Sequence, residues 1–209
     1  MSKIPTFEVR RFTNTPAAFG ATLGDDHRRR LGDVLSSSSA ATNPYGYGQL
    51  VAISFKGMEA VTASYLKALL FPMFPSMATK LGTPDHKPLS ASNLYPVLSN
   101  VPAEIRSEAE VLLQGYPINL LELTHAGQRA IPSAHLYGSL DRALLETLRL
   151  LLVVGEATAP DLHRREKGPG IAVTAWNNRL NDLFARRLVR RQRDGRQWVF
   201  RAVAEPVNL

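Results

Sequence analysis

Cysteine is absent from all 209 residues. That removes disulfide scaffolds, thiol nucleophiles and thiolate zinc sites, and it fits a reducing cytoplasm. Long apolar runs are missing too. The opening MSKIPTFEVRRF lacks the unbroken apolar core of a signal peptide, and no stretch approaches the ~18 apolar residues that span a bilayer. The richest segment, Leu144 to Val154, is short and carries Glu146 and Arg149. A cytoplasmic chain without a membrane partner is expected. Catalytic signatures are equally scarce: there is no Gly-rich phosphate loop ending in Lys-Ser/Thr, no His-Glu-x-x-His and no serine elbow. The five histidines, His27, His86, His125, His135 and His163, are scattered, and none are paired at metal spacing. No catalytic residue, metal or cofactor is expected, so the chain reads as something other than an enzyme.

What is present is apolar material and positive charge. A hydrophobic fraction of 44% supports one or two compact domains, and two are expected here. The net charge of +7 is unevenly placed: residues 138–209 carry 13 basic and 8 acidic side chains, and residues 1–137 carry 12 and 10. Basic excess on a small domain favours a polyanionic partner, because Lys and Arg that neutralise phosphates release condensed counterions. A solvated basic face is the alternative meaning of the same charge.

Three stretches read as loops: Ser36 to Gly48, Gly82 to Ser92, and His125 to Gly138, each mixing Gly, Pro and small polar residues. The last is the expected boundary, giving domains at 1–130 and 139–209. In the first, Thr6 to Phe12 reads as an opening strand and Asp25 to Leu35 as a helix with Leu31, Val34 and Leu35 inward. Leu50 to Phe55 is almost wholly apolar, as in a strand covered on both faces. Ala63 to Phe71 has helical spacing behind a Thr62 cap; Tyr95 to Ser99 reads as a strand, Pro102 to Gln114 as a helix closed by Gly115, and Ile118 to Leu123 as a strand. Alternation of this kind implies an α/β domain with a parallel or mixed sheet.

The second domain has the clearer pattern. Leu140, Leu144, Leu145, Leu148, Leu151 and Leu152 form the apolar stripe of a first helix, with Gly155 at its end. Thr158-Ala-Pro-Asp161 opens a second, ending near Arg165. After the turn Lys167-Gly-Pro-Gly170, a third helix runs from about Thr174 to Arg187. Trp176, Leu180, Leu183, Phe184 and Leu188 share its inner side, and both Trp176 and Trp198 are expected in packing roles. Thr174, Ala175, Asn178, Asn181, Asp182 and Arg186 occupy the outer side, with Arg179 at the margin. Leu188 to Val203 then reads as two strands joined at Asp194-Gly195, a hairpin signal.

Three helices followed by a basic hairpin, over residues 139–203, resemble the winged helix-turn-helix family of bacterial regulators. The resemblance implies that the third helix enters the major groove of duplex DNA while the wing touches the backbone. Thr174 lies on that face, and Asn178, Asn181, Arg179 and Arg186 have the chemistry to read base edges. Arg190, Arg191, Arg193 and Arg196 on the wing, and Arg164, Arg165 and Lys167 ahead of the third helix, suit phosphates.

In the first domain, Ser54-Phe-Lys-Gly-Met-Glu-Ala-Val-Thr-Ala-Ser64-Tyr-Leu-Lys-Ala-Leu-Leu70 and Val97-Leu-Ser-Asn-Val-Pro-Ala-Glu-Ile-Arg106 resemble the two strand-to-helix turns of STAS domains, the fold of anti-sigma factor antagonists. In that family a partner kinase phosphorylates a serine at the helix start, and Ser64 is the position that aligns with it. Here the usual Asp-Ser-Ser-Gly run is Thr62-Ala-Ser-Tyr65, and a capping or packed hydroxyl is the other role open to Ser64. The expected fold is thus α/β, a STAS-like mixed sheet with helices followed by a C-terminal winged helix-turn-helix. The expected function is a DNA-binding transcriptional regulator, homodimeric on a palindromic site and nucleoid-associated when bound, with the STAS-like domain dimerising, docking a partner or sensing a signal. The competing class is a signalling adaptor that binds a kinase or a sigma-regulating protein.

Overall fold

The computed structural model describes residues 4–35, 46–74, 93–124, 133–166 and 170–203. The expected loop Gly82–Ser92, most of Ser36–Gly48, Lys167, and the side chains of Val34 and Leu35 lie outside the described residues. In chain order the strands are β1 (Thr6–Glu8), β2 (Ala17–Ala18), β3 (Gln49–Ser54), β4 (Ala60–Val61), β5 (Leu94–Ser99), β6 (Leu120–Thr124), β7 (Ser133–Tyr137), β8 (Glu156–Ala157), β9 (Val189–Asp194) and β10 (Gln197–Ala202). The α-helices are α1 (Ala21–Leu35), α2 (Ala63–Leu70), α3 (Ala103–Gln114), α4 (Arg142–Val154), α5 (Ala159–Arg165) and α6 (Val173–Ala185).

The chain is mixed α/β. Its main sheet has the order β1-β3-β5-β6-β7. The first three pairings are parallel and the last, β6 with β7, is antiparallel. The parallel neighbours are joined through helices, as parallel pairing requires. Strand alternation then sorts side chains onto two faces. Val51, Ile53, Leu94, Leu98, Leu120 and Tyr137 join one core with Leu31 of α1, Leu66 and Leu69 of α2, and Ile105 and Leu113 of α3. Ala52, Tyr95, Val97 and Leu121 point the other way, into a second core shared with Leu148 and Leu151 of α4 and Leu180 and Leu183 of α6. The near-continuous apolar character of β3 and β5 is explained by this double cover: every residue of β5 is buried.

Three expectations are corrected. The opening strand stops at Glu8, and Val9–Phe12 turns into a 3-10 helix. The first helix begins at Ala21, four residues before Asp25, following the left-handed Gly20. Part of the expected boundary loop, Ser133–Tyr137, is the fifth strand of the sheet. Leu136 packs into the second core and Tyr137 into the first, a period of two that the flanking Gly, Pro and Ser concealed.

The C-terminal residues form three helices and a three-stranded antiparallel sheet of order β8-β10-β9. Asp141 caps α4 by accepting from the Leu144 N–H at 2.8 Å, and Gly155 ends it at φ 82°. A reciprocal capping box starts α5, with Thr158 and Asp161 each accepting a backbone N–H from the other. The hairpin turn falls at Gly195-Arg196, one residue later than the Asp194-Gly195 signal, because Asp194 pairs with Gln197. Gly195 takes the left-handed first position of that turn, where a side chain is disfavoured.

Candidate nucleic-acid interface

Burial of one side of α6 leaves the other side to solvent. Trp176, Leu180 and Leu183 turn inward, while Thr174, Asn177, Asn178 and Asp182 are exposed. Asn177, absent from the sequence-based candidates, belongs to this face: it sits three positions after Thr174, one helical turn along. Arg179 lies beside it with its guanidinium 5.2 Å from the Trp176 ring.

The hairpin stands next to α6, and its two faces differ. On the inner face, Arg191 pairs with Phe200 and Arg193 with Trp198 across the strands. The Arg191 guanidinium lies 4.0 Å from the Phe184 ring and 4.2 Å from the Trp198 ring, held between a helix aromatic and a hairpin aromatic. Its Nη1 donates to Asn181 Oδ1 at 2.8 Å, and Asn181 Nδ2 donates to the Asn177 carbonyl at 2.9 Å. Burial pushes the Arg191 pKa down. The Arg193 guanidinium also lies near Trp198, 5.2 Å from its ring, and donates to the Gly195 carbonyl. Arg196 is exposed at the turn.

On the outer face, Arg190 lies 5.8 Å from the Tyr47 ring, and the Tyr47 hydroxyl donates to Glu156 Oε2 at 3.0 Å. Burial, and then the Glu156 hydrogen bond, push the Tyr47 pKa up to about 12. Ahead of α6, Arg164 is paired with Asp161 and Arg165 is exposed. His163 Nδ1 donates to the Ile171 carbonyl at 2.9 Å and ties α5 to the start of α6.

The expected DNA-facing residues thus divide into groups. Thr174, Asn178, Arg193, Arg196, Arg164 and Arg165 are exposed. Asn181 gives its carbonyl oxygen to Arg191 Nη1 and its amide to the Asn177 carbonyl, and Arg191 is part-buried against Phe184 and Trp198. Arg186 is turned toward the main sheet, where its Nη1 donates to Asn119 Oδ1 at 2.8 Å. Sequence spacing placed Arg186 on the outer side of α6, but the helix ends at Ala185, and Arg186 caps it outside the helical repeat.

Ser64 is exposed in the first turn of α2, its hydroxyl 3.0 Å from Thr62 Oγ1. Thr62 is the cap, accepting from the Tyr65 N–H. The first N–H of that helix, from Ala63, already donates to the Glu108 carboxylate at 2.7 Å. Among the described residues, no three carboxylates or histidines cluster to hold a metal ion, and no helix is long and apolar enough to cross a membrane. No family profile, curated protein or solved structure matches this chain significantly.

Proposed function

We propose that residues 139–209 form a winged helix-turn-helix that binds duplex DNA, and that the chain is a transcriptional regulator. The single observation carrying this reading is the solvent face of α6. Thr174, Asn177 and Asn178 stand exposed there, beside a hairpin whose turn exposes Arg196 and whose strand exposes Arg193. Carboxamides suit base edges in the major groove, and flanking arginines suit phosphates. On this reading α6 enters the groove, the β9–β10 hairpin is the wing, and Arg165 meets the backbone on the approach. The STAS-like α/β half, strands β1 to β7 with their helices, dimerises the protein or docks its partner, and a dimer would match a palindromic operator.

The test is binding of the purified chain to its own upstream DNA and to a scrambled duplex across a salt series. Sequence-selective binding that weakens with salt is expected. Arg196→Ala should lower the salt slope by about one. Equal affinity for the two duplexes, or none for either at low salt, would remove the regulator.

The adaptor reading draws on one observation, the exposed Ser64 hydroxyl at the start of α2. Glu108 counts against it, because a phosphate on Ser64 would meet that carboxylate at the same helix start. Incubation with kinase-containing lysate followed by mass spectrometry of the Ser64 peptide distinguishes the two readings: a stoichiometric phosphate would favour the adaptor.

A further inference from the structure

The side chains around α6 also indicate which bases it reads, an inference that rests on the DNA-binding proposal. At about 100° per residue, Thr174, Asn177, Asn178 and Asn181 fall within an arc of about 100°. Only some of these can face a ligand. Asn181 has its carbonyl oxygen on Arg191 and its amide on the Asn177 carbonyl, so both ends of its carboxamide are used. Arg186 is held by Asn119 beyond the helix end. Arg179 is the one basic side chain within α6, and it lies against Trp176 at the margin of the exposed face. What remains is a pair of adjacent carboxamides, Asn177 and Asn178, at the two sides of the face with the Thr174 hydroxyl between them, all three exposed. A carboxamide pairs bidentately with adenine N6 and N7, whereas guanine O6 and N7 call for a cation.

Arg191 fixes the aim of this pair. Its guanidinium is clamped between Phe184 and Trp198, and it reaches Asn181, which in turn holds the Asn177 backbone. The chain of contacts therefore runs from the hairpin, through Arg191 and Asn181, to the turn of α6 that carries the readers. A guanidinium enclosed in this way is poorly placed to neutralise a phosphate. We propose that Asn177 and Asn178 read adenines in the major groove, so that the protein selects A·T-containing duplex, and that Arg191 is a positioning residue for them.

The experiment selects from a randomised duplex library with the full chain, then sequences the retained pool for the wild type, Asn177→Ala and Arg191→Lys. The wild-type pool should be enriched in adenines at fixed positions, and 7-deazaadenine at those positions should weaken binding about tenfold. Asn177→Ala should lose the preference at one position and keep the rest. Arg191→Lys retains the charge but not the flat stacking group, so discrimination should fall while the salt slope stays. Thermal melting of each variant separates altered recognition from loss of fold, and Trp198→Phe, which keeps a ring on Arg191, should preserve discrimination. A pool rich in guanine contacts, or 7-deazaadenine without effect, overturns the adenine assignment while duplex binding stands. A salt slope that drops by about one in Arg191→Lys with discrimination intact makes Arg191 a phosphate contact and overturns its positioning role. No retained duplex at all removes this inference together with the DNA-binding proposal.

Discussion

His27 is fully buried, and its ring is satisfied at both nitrogens. Nε2 lies 3.2 Å from the Phe12 carbonyl, which can only accept, so Nε2 carries the proton; Nδ1 then accepts from the Tyr65 hydroxyl at 2.8 Å. Burial pushes its pKa below the usual 6.5, against the raising effect of the Phe12 contact. The unfolded chain thus binds a proton that the folded chain refuses. Stability is full above the unfolded value and falls as pH drops below about 6.5. Melting temperatures should decline between pH 7.5 and 5.5, and His27→Gln should flatten that decline; an unchanged pH profile in the variant would show that other groups set it. Glu122 makes a second, more acidic case. Its carboxylate is 2% exposed, and it accepts from Tyr137 Oη at 2.6 Å and from Arg106 Nη2 at 2.9 Å. Burial raises its pKa, but the Arg106 and Tyr137 bonds outweigh that and hold it below the usual carboxylate range. Its contribution is present above the unfolded value near 4.5 and is lost as pH falls through the lower folded one. Glu122→Gln at neutral pH should cost about 2 kcal/mol in chemical denaturation, since one of the two accepting oxygens becomes a donor and the charge facing Arg106 is lost. Neither role was visible in sequence, because a lone histidine or glutamate carries no record of the groups that fold around it.

At the scale of elements, two close approaches govern the helices. Gly24 of α1 sits against α2: an added Cβ would come within 2.5 Å of the Tyr65 carbonyl oxygen and 2.9 Å of Ala68 Cβ. Helix backbones cannot yield that much locally, so Gly24→Ala should destabilise by about 2 kcal/mol in denaturant titration, although alanine is the better helix former. The end of α6 is the second. Arg187 N–H bonds the Phe184 carbonyl and Leu188 N–H bonds the Leu183 carbonyl, the paired bonds of a Schellman ending. The residue at its left-handed position is Arg187, at φ 60°, where glycine is usual. Its buried guanidinium lies 5.0 Å from the Tyr95 ring and donates through Nε to the Met73 carbonyl. Removing the side chain loses those contacts in either case, but glycine also relieves the backbone. Arg187→Gly should therefore be more stable than Arg187→Ala by about 1 kcal/mol, as measured by melting. The elements themselves were largely legible beforehand. Thr158 with Asp161, Gly115, Gly155 and the Leu144–Leu151 stripe all marked ends or faces that the chain adopts. β7 and the two-residue β8 were not, since short strands carry too few periods to stand out from a loop.

Over the whole molecule, the C-terminal helices do not hang from the sheet on a tether. They cover its second face, with Tyr95 meeting Phe184 edge-on at 6.3 Å and Arg186 reaching Asn119. A shared apolar layer should make the halves unfold together. Tyr95→Ala leaves a large cavity in that layer and should lower a single transition by about 3 kcal/mol. Two transitions in calorimetry, with only one displaced by the variant, would mean that the halves are independent. For the proposed regulator this packing matters, because Tyr95, Asn119 and Arg187 join the α/β half to α6 and its end.

The amino-acid sequence by itself determined the alternation of strands and helices in the first half, the three helices and hairpin of the second, and the polar strip from Thr174 to Asn178. Those follow from local rules: periods of two and 3.6, caps and turn residues, each spanning a few neighbours in the chain. Tertiary structure alone decided which polar side chains remain available. Arg186, Arg191 and Asn181 look as exposed in sequence as Asn178 and Arg196 do. Their partners, Asn119, Trp198 and Phe184, come from other elements or another turn, and contacts between segments brought together by folding leave no trace in local spacing.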